Sequence, residues 1–220
     1  MKILSINVSE PKKIIFNSKT VYTSIFKKPL VDKVKVNIKG ISGDRQADLN
    51  SHGGINKALY CYSYSHYKYW GELLNKNFYA DYGLLGENLT IENFNEKDFY
   101  IGDEFQISNI ILKITQPRIP CYKLGIKMNN RDFVNLFIDY SHFGMYMKVI
   151  KSGEIKQGDN LKLIHREDNA MSVYEISKLI FDKKENIELM KKAIKLKNLT
   201  EEIKTRFITK LAKLGYYENI

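Results

Sequence analysis

Apolar and polar residues alternate along roughly the first three quarters of the chain, then recur at helical spacing along the last quarter. In Val34-Lys35-Val36-Asn37-Ile38 the apolar side chains share one face, the period-two signature of a half-buried strand. Short β-like runs, several of them alternating in this way, fall at 2–8, 31–38, 57–64, 88–92, 104–107, 110–115, 144–151 and 160–165. Turn signals punctuate them at Gly43-Asp44, Gly102-Asp103 and Gly158-Asp159, and Ser152-Gly153 reads as a hairpin turn. Many short strands with regular turns predict a mainly β, α+β architecture, a barrel or a sandwich. Two helices interrupt it. One spans 65–75, with Tyr67, Trp70, Leu73 and Leu74 at helical spacing, and the other 131–138, with Phe133, Leu136 and Phe137.

The pattern changes after His165. Arg166-Glu167-Asp168-Asn169 reads as a polar link, which divides the chain into a β domain, 1–168, and a small three-helix domain, 169–220. Helices are predicted at 173–181, 186–196 and 201–213. Ser172 and Glu175 form a capping box for the first, in which the hydroxyl and the carboxylate satisfy orphan N–H groups reciprocally. Thr200, Glu201 and Glu202 supply a cap and acids for the third. Ile176, Leu179, Ile180, Leu189, Ala193, Ile194, Phe207, Ile208 and Leu211 can share a core. A unit this small is marginal alone, so it is expected to dock on the β domain or on a second copy of the chain in a homodimer.

Composition narrows the class. The chain has 220 residues and 44% hydrophobic content, enough for one good core with an appendage. The apolar start, 1–8, is too short for a secretory signal, and no apolar run is long enough to span a bilayer. Two cysteines set 60 positions apart give no disulfide framework, so a reducing cytoplasm is expected. The net charge of +10 is spread out: 1–165 carries 23 basic and 16 acidic residues, and 166–220 carries 12 and 9. Only five of the 35 basic residues are arginine. This distribution argues against nucleic acid as the main partner and against a basic tail.

The candidate chemistry centres on Thr115-Gln116-Pro117-Arg118-Ile119-Pro120-Cys121. Two prolines fix φ, so the segment leaves the strand as a stiff irregular loop that can hold a side chain for chemistry. The thiol follows Arg118 by three residues and precedes Lys123 by two, and nearby cations favour the thiolate. Cys121 is either such a thiolate or a small hydrophobe under solvated charge. Cys61, inside a strand-like run, reads as core. A second segment, 43–57, is polar and glycine-rich: Gly53-Gly54 permits close backbone approach, and Arg45, His52 and Lys57 suit an anion such as phosphate. The alternative is an ordered loop in which Asp44 and Asp48 pair the bases. A third, 83–90, puts Glu87 and Asn88 at a strand start, as chemistry or as turn structure. His66 reads as a surface or packing residue, and His142 stays open.

Taken together, GDRQADLNSHGGINKALYCYSYSHYKYW (43–70), GENLTIENFNEKDFYIGDEFQI (86–107) and LKITQPRIPCYKL (112–124) resemble the MOSC-domain family, and the helical tail resembles the three-helix domain of its YiiM-like branch. The tail departs at one point: that branch often carries Trp-Arg near the start of the last helix, where this chain has Glu202-Ile203. The resemblance implies a β-barrel that binds a pterin-based molybdenum cofactor, with Cys121 as the metal ligand, a soft donor suited to such a metal. It also implies reduction of N-hydroxylated compounds, base analogues among them, to amines, a detoxifying role. Arg45, His52, Lys57 and Arg118 are then the candidates for the cofactor's phosphate, with Gly53 and Gly54 beside it. Asn88 and Gln116 are candidates for amide contacts, and Glu87 for a proton donor or orienting group. Neither a four-cysteine cluster motif nor a dinucleotide fingerprint is present, so electrons are expected from a separate flavin or iron–sulfur protein. Two other readings are a sulfur or cofactor carrier using a Cys121 persulfide, and a non-enzymatic barrel that binds anions or nucleic acid.

Overall fold

The computed structural model describes residues 1–49, 53–182 and 184–216. The alternating segments form strands β1 (Ile3–Val8), β2 (Lys12–Phe16), β3 (Lys19–Thr23), β4 (Lys28–Leu30), β5 (Val34–Asn37), β6 (Gly40–Ile41) and β7 (Leu59–Ser63). They continue with β8 (Leu89–Ile91), β9 (Glu104–Ile107), β10 (Ile110–Pro117), β11 (Met145–Lys151), β12 (Gly153–Ile155) and β13 (Leu161–His165). The helices are α1 (Ser65–Leu74), α2 (Tyr122–Met128), α3 (Phe133–Tyr140), α4 (Val173–Phe181), α5 (Ile187–Ile194) and α6 (Glu201–Lys213). No helix among the described residues is long and apolar enough to cross a membrane.

The main sheet has eight strands in the order β13-β9-β10-β11-β7-β8-β1-β4. Only β7 against β8 is parallel among its pairings; the rest are antiparallel. The mainly β class holds, but the barrel is not closed. Its seam is the single Lys2–Asn160 bridge, flanked by the N–H groups of Leu161 on Met1 O (2.7 Å) and of Ile3 on Asp159 O (2.9 Å). The physical reason is that the outer edge of β1 is shared: residues 1–3 meet 158–161, while residues 6–8 pair with β4.

Strand β7 is buried at all five positions because both faces are covered. Leu59 and Cys61 face the large apolar core, whereas Tyr60 and Tyr62 face a second, aromatic core with Tyr67, Trp70, Phe133, Phe137 and Phe143 beneath α1 and α3. Fully burying each such side chain is worth roughly 1.5–3 kcal/mol. Cys61 Sγ lies 3.5 Å from Met147 Sδ, and burial pushes its thiol far above the ordinary range, so it is a core residue as read.

The tail helices form where the period predicts them. The Ser172 capping box is complete, with Glu175 N–H donating to Ser172 Oγ (3.1 Å) and Ser172 N–H to Glu175 Oε2 (2.7 Å). Ile176, Ala193, Ile203, Phe207 and Leu211 belong to the same apolar cluster as the sheet. Thr200 does not cap α6 with its hydroxyl; it donates instead to Gln116 Oε1 (2.7 Å) and so ties the tail to β10.

Other elements depart from the pattern. Ser152-Gly153 is not a hairpin turn, because β12 leaves β11 to pair with β5, and Gly153 packs directly on the Asn109 side chain. The β2–β3 hairpin, turned by Asn17 and Ser18 at φ 49° and 57°, carries exposed lysines and escapes an apolar-face test. Helix α2 was hidden by its shortness. Strand β10 runs on to Pro117 through a register shift between Ile114 and Gln116, since the terminal residue of a strand tolerates proline.

Gly144 precedes β11 at φ +69°, and a Cβ there would lie 2.3 Å from the Cys61 carbonyl oxygen. Gly144→Ala is expected to destabilise by about 2–4 kcal/mol, the left-handed backbone and the overlap acting together. Urea unfolding measures this, and an unchanged midpoint would refute the placement of that turn.

Candidate functional site

Beyond Pro117 the chain keeps one bond to the sheet edge, Arg118 N–H to Gly144 O (3.3 Å), and then leaves it. Pro120 hands the chain to Cys121, whose extended backbone (φ −135°, ψ 167°) starts α2. The thiol is partly exposed. It shares a cleft with Arg118, Lys27, Asp44, Lys57, Lys123, Tyr60 and Tyr146, drawn from five separate stretches of chain.

Arg118 is buried, its guanidinium 4.8 Å from the Tyr60 ring centroid and 5.6 Å from that of Phe137. Its Nη1 has no hydrogen-bond partner. Burial works against this cation, but Tyr60, Tyr146 and Cys121 outweigh it and raise its pKa above the ordinary value. Lys27 pairs with Asp44 in the same wall. Burial lowers the Lys27 pKa against the pull of Asp44 and Glu87. Asp44 also accepts from Ser9 N–H and from Asn88 Nδ2, both at 2.8 Å. An adjoining hollow reaches from Cys121 past Lys57 and Tyr146 to Glu202 and Arg206 on α6, and Lys57 Nζ meets Glu202 Oε2 at 2.5 Å. The tail is therefore one wall of the site.

The residues picked from sequence separate into groups. Cys121, Arg118 and Lys57 come together in the cleft. Asn88 lines it too, but its amide is committed inside the protein: Oδ1 accepts from Tyr60 N–H (3.1 Å), and Nδ2 donates to Asn7 O (3.2 Å) and Asp44. Gln116 is buried beside the cleft and serves Thr200. Arg45 is not in the cleft; its side chain is 74% exposed and pairs with Glu10 on the surface (3.0 Å). Gly53 and Gly54 do not line it either; Gly54 takes φ +95° and its carbonyl accepts from Lys57 N–H. His52 lies outside the described residues.

Glu87 stands behind the wall and is fully buried. Four donors converge on its carboxylate: Tyr67 Oη, Thr90 Oγ1 (2.9 Å), and the N–H groups of Gly83 and Leu85 (3.0 Å each). It holds the 83–86 turn rather than reaching a ligand. This geometry counts against a proton donor and leaves the orienting role, since Gly86 lines the cleft. Lys27, Tyr60 and Tyr146 were missed from the sequence, whereas Lys123 was read there as a cation beside the thiol. Tyr60 and Tyr146 had a weak signal, as outliers of polarity in apolar strands; Lys27 had none.

Lys127 braces this corner, donating to Ile25 O (3.0 Å) and to Gly83 O. Burial pulls its ammonium down from 10.5 to about 8, with Lys27 and Arg118 adding repulsion and Glu87 and Asp81 resisting. A neutral amine still makes both bonds.

The MOSC domain model matches residues 48–162. The protein YflK of Bacillus subtilis strain 168 is 30% identical over 212 residues, spanning 96% of this chain and 95% of its own length. A protein named reductase from Gibberella moniliformis is 28% identical over 176 residues, 79% of this chain but 31% of that protein. The crystal structure of YiiM from Geobacillus stearothermophilus superposes with a TM-score of 0.79 at 28% identity, covering 96% of this chain and 98% of that one.

The Lys127 environment sets a pH dependence. Below about pH 8 the buried ammonium is charged in both states and opposes folding; between 8 and 10.5 the unfolded chain holds the proton more tightly. The stability of the wild type relative to Lys127→Met should therefore rise over that window, by roughly 1–3 kcal/mol. Urea titrations at pH 7 and pH 10 test this, and a difference that is flat or falls would refute it.

Proposed function

The chain belongs to the MOSC domain family, and on that premise we propose that its Cys121 cleft binds an anionic pterin-type molybdenum cofactor and that the protein reduces N-hydroxylated compounds to amines. The observation that carries the reading is Arg118 Nη1: a buried cationic donor without a partner in the same cleft as a partly exposed thiol. A buried charge left unpaired is costly, so the site is incomplete without an anion.

The donor set fits the group. Cys121 offers a thiolate, a soft sulfur donor suited to a metal such as molybdenum. Arg118 gives a planar fork for phosphate, and Lys27 and Lys123 add positive charge on the same wall. Tyr60 and Tyr146, with ring centroids 5.5 Å apart, give flat apolar surface for a heteroaromatic ring. When bound, the cofactor supplies the two-electron chemistry, and the protein supplies binding, orientation and charge. Overall, an N–OH group, two electrons and two protons give N–H and water. Two cysteines are too few for an iron–sulfur cluster, which supports a separate flavin or iron–sulfur protein as electron donor.

Protein expressed in a host that makes the cofactor is expected to carry stoichiometric molybdenum. Cys121→Ser should lose it, Arg118→Met should retain a tenth or less, and Cys61→Ser should keep it, each remaining folded by circular dichroism. Metal retained in Cys121→Ser would overturn the assignment. If the +10 chain steers an acidic donor, turnover with that donor should fall steeply with added salt, while reduction by a small neutral reductant should not. Equal salt dependence of the two rates would refute steering.

A further inference from the structure

His66, Glu96 and His142 meet away from the Cys121 cleft, and none of them lines it. They arrive from α1, from the loop between β8 and β9, and from the turn before β11. One ligand atom from each lies within 4.8 Å of the other two. Glu96 is almost fully buried, His66 is 8% exposed, and His142 leaves about a fifth of its side chain open to solvent.

The hydrogen bonds leave this cluster unfinished. Glu96 Oε1 accepts from Gly144 N–H (3.1 Å), so only Oε2 faces the imidazoles. That oxygen lies 2.7 Å from His142 Nδ1 and 3.5 Å from His66 Nε2. His66 Nδ1 is engaged by Tyr140 Oη (2.8 Å), whereas its Nε2 is buried and has no partner. Either tautomer of His66 is poorly served. If Nδ1 carries the proton, the Nε2 lone pair faces a carboxylate oxygen. If Nε2 carries it, the N–H falls short of Oε2, since 3.5 Å is beyond a good hydrogen bond.

We propose that His66 Nε2, Glu96 Oε2 and His142 bind one divalent first-row transition-metal ion. Two imidazoles and a carboxylate are the donors such an ion takes, at about 2.0–2.2 Å each. A tetrahedral set at that radius has its ligand atoms about 3.3 Å apart, so the widest separation has to close by no more than about 1.5 Å and the 2.7 Å Glu96–His142 pair has to open by about 0.6 Å. Tyr140 acts as the partner that orients a metal-binding histidine from its other nitrogen. The open side of His142 gives an entry path and a fourth position for water. The ion would tie α1 to the 142–144 turn, whose Gly144 links Glu96 to Arg118 through its N–H and C=O (3.1 and 3.3 Å).

Zinc is the probe. Full-length protein stripped with a chelator is titrated with Zn²⁺ by calorimetry, and metal is counted after gel filtration. The expected result is one zinc per chain in wild type and in Cys121→Ser, at least a tenfold weaker site in His142→Gln, and no site in the His66→Gln, His142→Gln pair. His142 is the safer single variant because it is partly exposed. A second readout needs no variant: Co²⁺ substitution should give four- or five-coordinate ligand-field bands without a thiolate charge-transfer band. No zinc in wild type, unchanged affinity in the histidine variants, or loss of the site in Cys121→Ser alone would each overturn the proposal.

Discussion

The Asn88 side chain fixes the one parallel pairing in the main sheet, and the cleft depends on it. Residues 59–63 and 89–91 are brought side by side across α1 and a long turn. Asn88 closes that junction with its backbone and its amide together. Its N–H donates to Tyr60 O (2.8 Å), its Oδ1 accepts from Tyr60 N–H, and its carbonyl accepts from Asn7 N–H (2.7 Å). Its Nδ2 then reaches Asn7 O and Asp44, so one residue joins β1, β7, β8 and the 42–48 loop. Each of these partners is buried or partly buried, and leaving one unmade costs about 1–3 kcal/mol. A hydrophobic residue of similar size could fill the space but could not hold the Asp44 loop in register.

The electrostatics of the cleft follow from that anchoring. Asp44 is held by Asn88 and Ser9, and it in turn draws Lys27 into a position where burial alone would disfavour a charge. Glu87 plays the corresponding part behind the wall, fixing the 83–86 turn with four donors and attracting both Lys27 and Lys127. The acids are thus saturated by structural partners, while Arg118 keeps a donor unspent. A surplus of buried positive charge beside a thiol is the property that the fold maintains.

The small tail shares in this. Its buried residues merge with the sheet's core, and two of its polar ties, Thr200 to Gln116 and Glu202 to Lys57, fall at the edge of the Cys121 site. At the start of α6, the Glu202 carboxylate takes up one of the site's lysines, Lys57. The tail's polar residues therefore adjust the charge of the cleft as well as covering the core.

Much of the local structure was legible in the order of amino acids alone. Short β-like runs, several of them alternating, marked eight of the strands, 3.6-residue spacing and the Ser172–Glu175 box marked the tail helices, and two prolines marked the loop that delivers Cys121. These signals are legible because they rest on backbone geometry within a few residues. Tertiary structure alone decided which charges share a site. Arg45 looked like an anion ligand and lies on the surface with Glu10, while Lys27, with no local signal, enters the cleft through Asp44, 17 residues away. Asn88 and Gln116 offered amides to a ligand and spend them on Tyr60, Asp44 and Thr200. His66 and His142 read as isolated residues until Glu96 brought them together. Burial and Coulomb energy depend on distance in space, and chain contacts spanning 44 to 145 residues leave no periodic trace in the order of amino acids.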